Sequence, residues 1–223
     1  MADWLPGLGP MYQRYDPPQF VLYGDGRAIV REERDTTALK LVEYHLTPQR
    51  VRALFGEAAD AELFDDEDYS LDEQVLDAGA LVITLRTTEE ERTVEIVLPN
   101  PEDSGARGEA ATFAESLRPE HWKDGDFSSP PSPYRPDRVA VIYETATPND
   151  NETPRPWPLP GTEPIKPGCA LLTGTTATQT QELSEKGQRT TLWQQGDLTF
   201  HAWIRPLLPD ETDCHATESH YRP

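Results

Sequence analysis

Short blocks of alternating apolar and polar residues run along most of this chain, and prolines separate them. Phe20–Tyr23 and Arg27–Val30 are β-rich runs on either side of Gly24-Asp25-Gly26. An Asp-Gly pair between such runs signals a hairpin whose tight turn takes positive φ at both central positions. Leu39–Leu46 reads as a third strand. Thr47-Pro48 then starts a helix, since the hydroxyl caps open amides and proline suits the first helical position. Val51, Leu54, Phe55 and Ala58 follow the i, i+3, i+4, i+7 spacing of one apolar face, and the helix is expected to end near Phe64.

Ala80–Arg86 and Thr93–Leu98 read as an antiparallel pair, with Val94, Ile96 and Leu98 alternating as a half-buried strand does. A second helix is expected over 106–118, with Ala110, Phe113, Ala114 and Leu117 on one face. Lys123–Pro136 reads as a loop because it holds Pro130, Pro131, Pro133 and Pro136. Val139, Val141 and Tyr143 alternate in one more strand. The order βββ-α-ββ-α-β predicts an α+β domain over 20–146, an antiparallel sheet with two helices packed on one face. Residues 1–19, rich in proline and glycine, read as an irregular N-terminal arm.

Residues 147–167 form a proline-rich linker, which Trp157 is expected to fasten onto the sheet. A small β-α-β-β segment follows over 168–212. Its parts are a strand at Cys169–Thr173, a helix at Thr176–Lys186, and a hairpin of Thr191–Trp193 and Leu198–Ile204 about Gly196. Residues 213–223 are a polar tail. The segment has few large aliphatics, so it should pack on the first sheet or need a staple.

Composition narrows the function classes. The 223 residues are 36% hydrophobic, include 22 prolines and carry a formal net charge of -20. Such a field repels nucleic acid and anionic lipid and favours cations or a basic protein partner. No apolar run approaches the roughly 20 residues of a membrane span. The first 30 residues show neither a signal peptide nor a lipobox, so the chain as written reads as cytoplasmic. An oxidised cysteine pair would instead favour an extracytoplasmic protein whose leader has been removed.

The charge is uneven. No base lies between Arg52 and Arg86, a stretch that holds Glu62, Asp65, Asp66, Glu67, Asp68, Asp72 and Glu73. These seven form the candidate surface for a basic partner. Asp66, Asp68, Ser70 and Asp77 fall at positions 1, 3, 5 and 12 of a calcium loop. Leu71 stands where that loop needs glycine, which argues against an EF-hand. A looser divalent-cation site on Asp65, Asp66, Asp68 and Asp72 is the alternative. No G-x-S-x-G, H-E-x-x-H or C-x-x-C occurs, and carboxylates are too many for one pair to stand out as acid and base. His45 and His201 lie in expected strands as structural or exposed residues. No catalytic residue and no cofactor are assigned.

Cys169 and Cys214, the chain's two cysteines, bracket the C-terminal segment. They read as a disulfide, as two reduced thiols, or as zinc ligands with His215 and His220. Zinc fits poorly, since no C-x₂₋₄-C occurs and Cys214 directly precedes His215. Placement and a poor core favour the disulfide, which would stabilise by about 4 kcal/mol on the chain-entropy model.

Tyr23-Gly24-Asp25-Gly26-Arg27 in a hairpin, followed by a Thr-Pro helix ending in Leu63-Phe64, resembles an uncharacterised group of actinobacterial proteins, many of them exported lipoproteins. Trp157-Pro158-Leu159-Pro160-Gly161, Gly168-Cys169 and Arg205-Pro206-Leu207-Leu208-Pro209-Asp210-Glu211 before Cys214 extend the resemblance over residues 19–214. It implies that the two cysteines pair, and it implies no activity. The leading expectation is a non-catalytic acidic interaction protein, an accessory subunit or an inhibitor of immunity type, contacting a basic protein. The alternatives are a divalent-cation-binding protein or hydrolase built on the carboxylates of 65–72, and an exported structural protein.

Overall fold

The computed structural model describes residues 1–5, 15–32, 38–65, 67, 69, 78–146, 153–159, 168–186 and 191–214. Among these residues the protein is α+β, with a seven-stranded antiparallel sheet, a five-stranded mixed sheet and three α-helices. Two compact units divide the chain. The first is Met1–Gly9, Pro18–Arg31 and Leu41–Pro133; the second is Pro10–Pro17, Glu32–Lys40 and Tyr134–Pro223.

The larger sheet comprises β1 (Ala2–Leu5), β2 (Phe20–Leu22), β3 (Arg27–Glu32), β4 (Lys40–Leu46), β5 (Ala80–Arg86), β6 (Glu91–Val97) and β7 (Phe127–Pro133), in the order β6-β5-β1-β2-β3-β4-β7. The hairpin at Asp25-Gly26 is present, but only Gly26 takes positive φ, at 89°. The Gly26 amide donates to Tyr23 O at 2.9 Å and the Tyr23 amide to Arg27 O at 2.9 Å. That is a three-residue loop with a bulge glycine, in place of the two-residue turn expected. Gly26 is also required sterically, because a Cβ there would lie 2.7 Å from Leu46 O.

Two stretches of this sheet expected to be irregular are strands. Ala2–Leu5 lies between β5 and β2, with Ala2 opposite Ile83 and Leu5 opposite Ala80. The Met1 amine extends that ladder by donating to Thr84 O at 2.8 Å. The proline-rich stretch at 127–133 pairs with β4 at the rim of the sheet, with register shifts between Glu43, His45 and Leu46. An edge strand tolerates proline because an amide facing outward has no ladder partner to lose.

Helices α1 (Pro48–Asp60) and α2 (Ala106–Ser116) cover this sheet's core. Thr47 caps α1 by accepting from the Arg50 amide at 3.3 Å. Leu54 and Ala58 are buried as expected, whereas Phe55, assigned to the same face, is 41% exposed. The α2 face of Ala110, Phe113, Ala114 and Leu117 is buried throughout. Trp122 closes one end of the core, edge-on to Tyr44 and Phe20 at 5.2 and 6.1 Å between centroids.

The smaller sheet comprises β8 (Arg138–Thr145), β9 (Arg155–Pro156), β10 (Gly168–Thr173), β11 (Leu192–Gln195) and β12 (Leu198–Pro206), in the order β10-β8-β12-β11-β9. Only the β11–β9 pair is parallel. The strand at 138–145, expected as the last of the first sheet, belongs here between β10 and β12. Val139, Ala140, Val141, Ile142 and Tyr143 are all buried, so both faces of the strand are covered and alternation could not name its sheet.

Val139, Val141 and Tyr143 pack with Phe200, Ala202 and Ile204 on one face. Trp157 joins them, edge-on to Trp193 at 5.2 Å and inclined to Phe200 at 5.6 Å, and so fastens its proline-rich stretch to the sheet. Helix α3 (Gly174–Glu185) covers this core with a mostly polar side, Thr180, Gln181 and Ser184 beside Ala177. Gln181 Nε2 donates to Tyr134 O and to Glu185 Oε1, both at 2.9 Å.

Candidate functional site

The acidic stretch begins where α1 stops, and the way the helix stops decides what the carboxylates do. The Leu63 amide donates to Ala58 O at 3.1 Å and the Glu62 amide to Ala59 O at 3.0 Å. This is a Schellman ending, and its hydrophobic contact is supplied by the buried pair Ala58 and Leu63. The motif places one residue in the left-handed region, usually glycine. Here it is Glu62, at φ 56°.

A glutamate is poorly suited to that position for three separate reasons. Its Cβ is crowded in the left-handed region. Its charge follows the negative end of the α1 dipole. Its neighbours are also acids: repulsion from Glu67, then loss of hydration, then repulsion from Glu109 and Asp65 raise the Glu62 carboxyl above its ordinary range.

Arginines fix this stretch through its backbone. Arg92 donates to the carbonyls of Phe64, at 3.1 Å, and Asp65. Arg107 donates to Tyr69 O at 2.6 Å and to Val97 O at 2.9 Å, tying the stretch to the end of β6. The Tyr69 hydroxyl, raised above its usual range mainly by burial, donates to Glu62 O at 3.1 Å. With the guanidinium groups on carbonyl oxygens, the side chains of Glu62, Asp65 and Glu67 remain exposed. Sequence reasoning missed Arg92, Arg107 and Tyr69, because nothing local marks an arginine as bound for a carbonyl 27 or 38 residues away.

Asp66, Asp68, Asp72 and Glu73 lie outside the described residues, as do Ser70, Leu71 and Asp77. Among the described residues, no three His, Cys, Asp or Glu side chains gather as a metal site would need. His45 is exposed in β4, with Nε2 3.0 Å from Glu43 Oε1. His201 in β12 stacks on Trp203 at 5.8 Å.

Cys169 and Cys214 form a disulfide with 6.0 Å between Cα atoms, joining β10 to the chain beyond β12. Both sulfurs are consumed in that bond, which removes the zinc and free-thiol readings. The residues between β12 and Cys214 are held by an ion pair that the sequence held unread within Arg205–Glu211. Arg205 is fully buried; it pairs with Glu211 and donates to Tyr15 O at 3.1 Å and Asp16 O at 2.8 Å. Glu211 Oε2 in turn accepts from the Leu208 amide at 2.7 Å. A charge buried this completely needs such partners, and the Nη1 and Nη2 nitrogens have them, while Nε is buried without one among the described residues.

Compared with known proteins, the chain matches no family model, no curated protein and no solved structure. No helix among the described residues is long and apolar enough to cross a membrane.

Proposed function

We propose that this protein is a non-catalytic interaction protein that presents the acidic stretch after α1 to a basic protein partner, as an accessory subunit or an inhibitor of immunity type. The observation that carries the reading is Glu62. It holds a left-handed helix ending among Glu67, Glu109 and Asp65, where backbone, dipole and neighbouring charge all disfavour a carboxylate. A residue that costs stability where glycine would serve is a mark of function rather than of folding. A basic partner would relieve the repulsion. The disulfide supports an oxidising compartment, as does the resemblance to exported proteins.

Glu62→Gly tests the reading, because it separates stability from binding. The variant should melt at a higher temperature than the wild type at neutral pH. Its advantage should shrink in acid, where a carboxyl with a raised pKa is already neutral in the folded state and no longer repelled. In pull-downs from native lysate it should recover less of the partner that the wild type releases on a salt wash. A wild type that captures no salt-sensitive partner, or a variant that captures it equally well, overturns the proposal.

A further inference from the structure

Among the described residues the two sheets end in four edge strands, and three are guarded against pairing with another strand. Edge β6 carries Glu91, Arg92 and Glu95; β7 carries Pro130, Pro131 and Pro133; β9 is two residues long and ends in Pro156. Charge, proline and brevity are the usual devices that blunt an edge. Strand β10 has none of them. Its six residues, Gly-Cys-Ala-Leu-Leu-Thr, include no charge and no proline, and among the described residues it pairs with β8 alone. Ala170 and Leu172 pack on the core beneath α3, while Leu171, on the opposite face, is 39% exposed.

We propose that β10 is the contact through which two copies of this chain pair edge to edge. An uncharged strand is self-complementary, since antiparallel pairing with its own copy sets no like charges opposite one another. Residues opposite each other in an antiparallel pair share a face, so the two-fold axis must pass through a residue and not between two. With the axis at Leu171, Ala170 lies opposite Leu172 of the second copy and Cys169 opposite Thr173. Leu171 then meets its own symmetry mate, and the exposed apolar side chain is covered. The guarded edges elsewhere keep the assembly a closed dimer and not a growing sheet.

The net charge of -20 works against this contact only through distant groups, which salt screens beyond about 8 Å at physiological strength. Dimerisation therefore strengthens as salt is added, whereas a basic partner at the acidic stretch is released. The two proposals fail independently.

The test is sedimentation equilibrium of the oxidised full-length chain over a range of concentrations, at low and at high salt. The wild type should show a monomer–dimer equilibrium whose dimer fraction rises with salt. Leu171→Glu and Leu171→Lys should each weaken the dimer at least about tenfold, because each sets like charges opposite and removes an apolar pair. Mixing the two variants should restore dimer, as opposite charges then face each other, and a misfolded variant could not be rescued this way. A wild type that stays monomeric under all conditions overturns the proposal. So does a dimer indifferent to both substitutions, or a mixture no more dimeric than its components.

Discussion

The helices over the two sheets differ in what they bury. In the first unit α1 and α2 present Leu54, Ala58, Ala110, Phe113 and Ala114 to a continuous apolar core that also holds Trp122 and Phe20. In the second unit α3 presents Ala177 with Thr180, Gln181 and Ser184; Gln181 ties the helix to Tyr134 O, while the Thr180 hydroxyl bonds back to Thr176 O within α3. That unit adds a disulfide and a buried ion pair at its C-terminal end. The difference shows two ways to hold a sheet: burial proportional to apolar area, or a smaller apolar core supplemented by a disulfide and buried polar contacts.

The largest break in the comparison comes from the disulfide. Reducing Cys169–Cys214, or replacing both cysteines with serine, should cost about 4 kcal/mol for a closed loop of this size, read by denaturant titration with and without reductant. Breaking the ion pair comes next. Glu211→Ala leaves the Arg205 charge buried with its carboxylate partner gone, and should cost about 3 kcal/mol. The paired change Arg205→Met with Glu211→Leu should cost less than Glu211→Ala alone if burial of an unmatched charge is the cause.

The first unit has its own titratable group, and it sharpens the contrast through pH. Burial, with a further contribution from Arg86, lowers the Met1 amine from 8.0 to about 6. Between those values the unfolded chain binds the proton and the folded chain does not, so stability should rise from pH 6 to pH 8, by about 2 kcal/mol. It should flatten above pH 8, and acetylation of the amine should abolish the slope. Thr47→Ala is the smallest change. Loss of the α1 cap should cost about 1 kcal/mol, seen as a lower denaturation midpoint with an unchanged slope.

Legibility followed local chemistry more than the divide between the units. The Thr47-Pro48 start, the α2 face and the β5–β6 pair were readable because each depends on local chemistry or on one apolar face; Leu98, read as part of that face, instead lies past the end of β6 and is exposed. Phe55 fits the helical spacing yet points to solvent, since the sheet covers a narrower stripe of α1 than the sequence suggests. Strand β8 was readable as a strand and its sheet was not, because a strand buried on both faces carries no alternation to orient it. Proline hid β7, as edge geometry is a property of the whole sheet. At the candidate site the carboxylates were visible as a run, and the left-handed helix ending at Glu62 was not. The arginines that anchor its backbone come from distant parts of the chain, where no spacing rule reaches.

Hydrogen exchange followed by mass spectrometry, on the protein with and without reductant, tests the division between the two units most directly. On reduction, amides of β8, β10, β11 and β12 should lose protection, while those of β5, β6, α1 and α2 keep theirs. Equal acceleration in both groups of elements, or none in either, would contradict the account.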